Sequence, residues 1–227
     1  MSGLPGCGVG ILESGVTSMA GAMSLSTPVA HSLGARQFVL GMSNTSLRGG
    51  LRFYKDRNGL ADGSAWGSFG VGTRVGDFTV GGLVLSTLGD NVMNIHFSPK
   101  TNWDNVVVGV GVQDLFSTGG SSGEALDLAN GGGNSRSLYA AATVKLLEGA
   151  YATVGAGTRR FEGVFGNVSA NLIRGVKGVV EYDTFNWNYA VAADLVSHKV
   201  ADRTLTWSTS IGQIRGKYWT WSLNVRF

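Results

Sequence analysis

The chain has 227 residues, of which 36 are glycine, 3 are proline and 15% are charged, with a formal net charge of +3. Scarce proline and a hydrophobic content of 43% exclude ordinary disorder and collagen-like repeats, while scattered Lys and Arg residues give little support to nucleic-acid binding. Mean hydropathy is +0.11, yet no run of 18 or more apolar residues occurs, so spanning a membrane by a helix is excluded.

At the start, MSGLPGCGVGILES has neither a basic region nor an apolar core of the secretory kind, so an exported chain would have lost its leader or been given without it. Cys7 is the single cysteine, which rules out an internal disulfide and a cysteine metal cluster. The LPGC tetrapeptide around it reads as a chance resemblance to a lipoprotein box. Residues 1–16 are irregular and are expected to hang below the rest of the chain or to plug it.

From residue 17 onward the governing signal is alternation with period two, which sends successive side chains to opposite faces of a strand. Predicted strands fall at 17–25, 37–43, 48–54, 67–75, 78–85, 92–98 and 106–114. Seven more follow at 137–146, 150–158, 167–173, 176–183, 187–195, 205–211 and 218–227, making fourteen in all. At 92–98, Met93, Ile95 and Phe97 oppose Asn94, His96 and Ser98; in the last strand Trp219, Trp221, Leu223, Val225 and Phe227 oppose Thr220, Ser222, Asn224 and Arg226.

Two features separate this pattern from a soluble sandwich. The polar faces carry Gly, Ser, Thr and Asn, with few of the Lys and Glu residues a wetted sheet shows, as if they lined a confined space. Aromatic residues concentrate at strand ends: Trp187, Tyr189, Trp207, Trp219 and Trp221 form a candidate membrane girdle. Connections alternate between tight turns (44–46, 76–77, 146–149, 173–175) and long loops (55–66, 115–136), with 196–203 too long for its place. Lipid requires every backbone group to be paired inside the sheet, so the sheet closes. The expectation is an all-β, closed antiparallel transmembrane barrel over 17–227, with about 14 strands and 12 possible, in the outer membrane of a Gram-negative-type bacterium. Phe227, ending an aromatic-rich alternating strand, resembles the signal read by the barrel assembly machinery.

Several stretches resemble the YjbH-like family of outer-membrane barrels associated with exopolysaccharide. LSTPVAHSLGARQFVLGMS (25–43) is similar to its entry segment, and VVVGVGVQDLFSTGG (106–120) to its Val-Gly-x-x-Asp motif with a glycine-rich loop. SRSLYAAATVKL (135–146), GTRRFEGVFGNVS (157–169) and VVEYDTFNWN (179–188) are similar to later strands. The resemblance implies an accessory role in polysaccharide export and brings no catalytic residues.

Candidate lumen-lining residues are Arg74, Asn94, His96, Lys177, Glu181, Asp183 and Asp194. Unpaired charge in a lumen is costly, so the last four predict a compensated network with Arg74 or Arg159, or else an ion or sugar path. His96 and Ser98 share a face without a placed carboxylate, so no catalytic residue is assigned, and the sequence calls for no cofactor and no metal. His31 and His198 fall in predicted connections. The glycine-rich stretch 118–134 lacks a phosphate-loop pattern.

Three functions therefore compete. The first is a non-enzymatic barrel serving exopolysaccharide export or passive solute passage, with the lipid bilayer, lipopolysaccharide, the assembly machinery and polysaccharide as partners and no nucleic acid. The alternatives are an outer-membrane lipid-modifying enzyme and a soluble or particle-associated structural β-protein.

Overall fold

The computed structural model describes residues 21–46, 54–55, 61–62, 64–84, 91–117, 136–184, 186–214, 216 and 218–227. Its strands are β1 (Phe38–Ser46), β2 (Tyr54–Lys55), β3 (Ala61–Asp62), β4 (Ser64–Gly72), β5 (Gly76–Val84), β6 (Asn91–Pro99) and β7 (Val106–Gln113). They continue with β8 (Ser137–Leu147), β9 (Ala150–Gly157), β10 (Gly163–Ile173), β11 (Val176–Tyr182), β12 (Trp187–Val200), β13 (Arg203–Ile214) and β14 (Tyr218–Arg226). β1 pairs with both β4 and β14, and each strand from β4 to β14 pairs antiparallel with its successor, closing a barrel of twelve strands. The short β2–β3 hairpin stands apart from it.

The wall has twelve strands, the lower of the two numbers the alternation allowed. Of the predicted strand at 48–54, only Tyr54 lies among the described residues, in the two-residue β2. The predicted strand at 17–25 fails for a physical reason. Its described part, 21–25, lies inside the barrel, where Ala22, Met23, Ser24 and Leu25 are all buried, so neither parity of its alternation faces lipid. Pro28, just beyond, has no N–H to give to a ladder. The wall begins at Phe38, and residues 1–16 with Cys7 lie outside the described residues.

Parity otherwise partitions the wall as the alternation requires. Outward side chains such as Met42, Phe69, Val110, Leu138, Val154, Val168, Val180 and Val191 are exposed; inward ones such as Thr79, Asn94, Thr143, Thr153, Asn167, Ser169, Ser208 and Ser222 are buried. Residues 73–75, 100–105, 148–149, 174–175 and 201–202 connect strands at one rim, four of these five being turns of two or three residues, and the connections at the other rim run from 215–217 to 114–136. The apparent exception at 196–203 disappears, because β12 runs on to Val200 and leaves a turn of Ala201 and Asp202 alone. The predicted turns 44–46 and 76–77 belong instead to β1 and β5. Gly175, at φ +78°, shows why this rim favours glycine: an L side chain rarely takes that conformation.

The seam between first and last strands is tied by Phe227, whose N–H donates to Phe38 O at 3.0 Å while Phe38 N–H donates to Phe227 O at 2.8 Å. The two rings meet edge-on, 4.6 Å apart.

Candidate functional site: the lumen and its inner loop

Residues 21–36 run through the lumen as a loop. Gly21 O accepts from Lys177 Nζ near the turn rim, and Met23 N–H donates to Ser169 Oγ at 3.0 Å. The chain reverses at 24–28, where Ser24 Oγ donates to Thr27 O at 2.6 Å. It returns past β8, where Ala30 N–H donates to Thr143 Oγ1 at 3.0 Å, and past β5, where Leu33 N–H donates to Thr79 Oγ1 at 2.8 Å. Arg36 N–H donates to Gly70 O at 2.9 Å, and β1 follows. Glycines on the wall make the room: a β-carbon on Gly109 would sit 2.6 Å from Ala30 O, and one on Gly70 would collide with Gly34 O.

At the apex, one wall carboxylate gathers five donors of the loop. Glu181 accepts from the N–H groups of Leu25 (2.9 Å), Ser26 (3.0 Å) and Thr27 (3.1 Å), and from the hydroxyls of Ser26 (2.6 Å) and Thr27 (2.8 Å). Asn188 Nδ2 adds a sixth at 2.9 Å, and Asn167 Nδ2 donates to Thr27 Oγ1 at 3.1 Å. Hydrogen bonds to an ionised group contribute roughly 1.5–3 kcal/mol each against about 1 kcal/mol for neutral ones, so this cluster outweighs any other point of attachment of the loop.

The other candidate residues are placed as follows. Asn94 and His96 face inward on β6 and are buried. His96 stacks on Tyr139, with Nδ1 3.0 Å from Tyr139 Oη and Nε2 3.0 Å from Ala30 O and 3.2 Å from Ser98 Oγ. The residues hydrogen-bonded to the ring are thus a phenol, a carbonyl and a serine, with no carboxylate among them. Asp183 lies beside Arg160, 3.7 Å from Oδ2 to Nη2, both buried. Asp194 accepts from Arg226 Nη2 at 3.0 Å and is one-fifth exposed.

Arg74 is exposed in the turn after β4, away from the inner wall, because the strand ends at Gly72. Arg159 is exposed at φ +55°. Arg160 pairs with Asp183 and Arg226 with Asp194. Arg226 was marked only by its inward parity in the last strand, and Arg160 by nothing in the sequence.

Trp187 and Tyr189 are exposed on the outer face at the loop end of β12, and Trp219 lies exposed at the same rim with Trp221 half-buried beside it. Trp207 is half-buried near the turn rim. Trp66, like Tyr139, Tyr151 and Phe165, is buried on the inner wall, where it lies in register with Gly41. Extending the alternation of Ser68 and Gly70 back by one step would have placed it there.

Arg226 keeps only 5% of its side chain exposed, so removing Asp194 leaves a buried guanidinium without this carboxylate. Asp194→Ala is accordingly expected to cost about 3 kcal/mol or more, read as the urea midpoint of the folded barrel in detergent.

Among the described residues, no group of three His, Cys, Asp or Glu side chains is placed to hold a metal.

A closed, even-stranded antiparallel barrel with an apolar outer face and an inner face rich in hydroxyl and amide groups is the architecture of transmembrane β-barrels. No protein-family model and no curated protein sequence matches the chain. The chain is similar in fold to the KdgM porin in complex with disordered oligogalacturonate, at 8% identity and TM-score 0.53, over 84% of this chain and 98% of that one. A second KdgM porin structure matches at 9% identity and TM-score 0.52 over the same shares.

Proposed function

We propose that this chain is a non-enzymatic outer-membrane channel for the passive diffusion of small, polar, hydroxylated solutes. The observation that carries this reading is the closed wall whose inward parity is rich in Ser, Thr, Asn and Gln, interleaved with a few aromatic and small apolar residues. Charge is largely withdrawn from that lining, since Glu181 is held by the inner loop, Asp183 by Arg160 and Asp194 by Arg226. Trp66 Nε1, Ser68 Oγ, Ser208 Oγ and Asn224 Oδ1 are buried without a hydrogen-bond partner among the described residues. They lie on the β13–β14–β1–β4 side, suited to a solute whose hydroxyls both donate and accept. Sugars are such solutes, and the likeness to a porin seen with an oligogalacturonate adds support.

In this reading the outer face meets the lipid bilayer and lipopolysaccharide, the tight turns face the periplasm, and Phe227 is read by the barrel assembly machinery. Trp187, Tyr189, Trp219 and Trp221 mark the outer interface, with Trp207 at the inner one. Proteoliposomes carrying the chain are expected to swell in iso-osmotic arabinose and glucose faster than protein-free vesicles, and more slowly as sugar size rises. Swelling no faster than the empty vesicles for every sugar, in the parent and in Glu181→Ala alike, overturns the proposal.

Exopolysaccharide export is the second reading, favoured by the coincidence of the YjbH-like stretch 25–43 with the inner loop and β1. Loss of surface polysaccharide on deleting the gene, with sugar permeability unchanged, distinguishes it.

A further inference from the structure

The inner loop seats on one group of the wall more strongly than on any other, and that group is a carboxylate bound as a ligand would be. Leu25, Ser26 and Thr27 turn three successive N–H groups to the same point, and two hydroxyls join them. Successive backbone N–H groups turned inward make an anion-binding concavity. The segment 21–35 has no Asp, Glu, Lys or Arg of its own, so the anion must come from outside it, and Glu181 supplies it.

We propose that residues 25–27 form a carboxylate-binding site, and that its occupation by Glu181 is the latch that holds the inner loop in the lumen and keeps the channel closed. The inference rests on the reading of the barrel as a passive channel. The rest of the loop has no second anchor of this kind. Its remaining polar contacts are to hydroxyls, carbonyls, amides and the His96 ring, with Lys177 on Gly21 O as the exception. Gly70 and Gly109 make room for its backbone, and its apolar side chains pack in small clusters against Val179, Tyr151 and Tyr139 of the wall, non-directional contacts that re-form when the loop returns. When the latch opens, the loop loses five donors' worth of partner at once, while Glu181 keeps Asn188. A soluble carboxylate can then take the vacated position on the loop.

The test is single-channel recording in planar bilayers on the full chain, with folding checked by heat-modifiable migration. In Glu181→Ala the ratio of open to closed time is expected to rise by about tenfold or more, since losing one hydrogen bond to a charged group is already worth that factor. Sodium formate is expected to bring the ratio back toward the parent value, and sodium chloride at equal ionic strength is not. Glu181→Gln, which keeps the shape but turns an amide N–H₂ toward the loop's donors, is expected to open as well and serves if the alanine variant does not fold. A Met23→Cys, Ser169→Cys pair in a Cys7→Ser background, joined across the 3.0 Å contact of Met23 N–H and Ser169 Oγ, locks the loop when oxidised and frees it when reduced.

If reduction opens the locked channel but Glu181→Ala and Glu181→Gln gate like the parent, the latch is refuted and the channel stands. If Glu181→Ala opens and formate does not reverse it, the carboxylate site is refuted. If neither the reduced lock nor any Glu181 variant conducts, the channel reading itself falls.

Discussion

In Asp183→Ala the folded barrel is expected to lose about 3–5 kcal/mol, the usual cost of stranding one partner of a buried ion pair. Arg160 and Asp183 are buried to a few per cent exposure, and Arg160 Nη1 also donates to Asp183 O at 3.2 Å. Truncation at 183 removes the carboxylate and leaves the guanidinium in place, against the Phe161 ring at 5.7 Å. The measurement is the urea midpoint of the refolded barrel in detergent. Asp183→Asn, which keeps a hydrogen-bond acceptor, is expected to fall between. Asp194→Ala is expected to cost a comparable amount, since Arg226 is as buried as Arg160, at 5% against 6% exposure. Losses under about 1 kcal/mol in both variants would mean that water reaches these guanidinium groups, and would sink the claim that the pairs are buried.

Arginine at Val168 is expected to cost about 2–4 kcal/mol, whereas arginine at Leu172 on the same strand costs about 0–1 kcal/mol. Both side chains are exposed on the outer face of β10, at 50% and 60%. In water that exposure would make both changes nearly neutral. The difference arises only in a bilayer. Val168 lies mid-strand, paired with Ala152 and Val180, at the depth where a charge has no aqueous route. Leu172 lies beside the 174–175 turn, where a long side chain reaches the interface. Unfolding from liposomes, with both variants compared against the parent, reads the depth dependence directly. Similar small losses at both positions would place the outer face in water and remove the membrane-spanning reading.

The inner loop changes what the barrel can do at rest. Twelve strands enclose a narrow lumen, and a segment of chain with buried Met23, Leu25, Val29 and Leu33 occupies it. Passage therefore requires the loop to move or the solute to slip along the Ser- and Thr-lined side that the loop leaves less engaged. The recordings proposed for Glu181 separate these routes, because only the first responds to the Met23–Ser169 lock.

Read alone, the sequence determined the sheet, its closure and which parity faces which medium, because period-two alternation is a local property that lipid on one side and a confined polar space on the other both enforce. Asn94, His96, Lys177, Glu181 and Asp183 lie inward for that reason. Only the tertiary structure decided what those inward groups meet. Alternation cannot distinguish a strand that faces lipid from a segment buried on all sides, so 21–25 read as wall and proved to be the loop's entry. Nor can it report partners far apart in the chain: Glu181 meets Ser26 across 155 residues, and Arg226 meets Asp194 across 32. Those pairings arise from closure, which brings the two ends of the sheet and everything threaded through it into one small volume where each buried charge must find its complement.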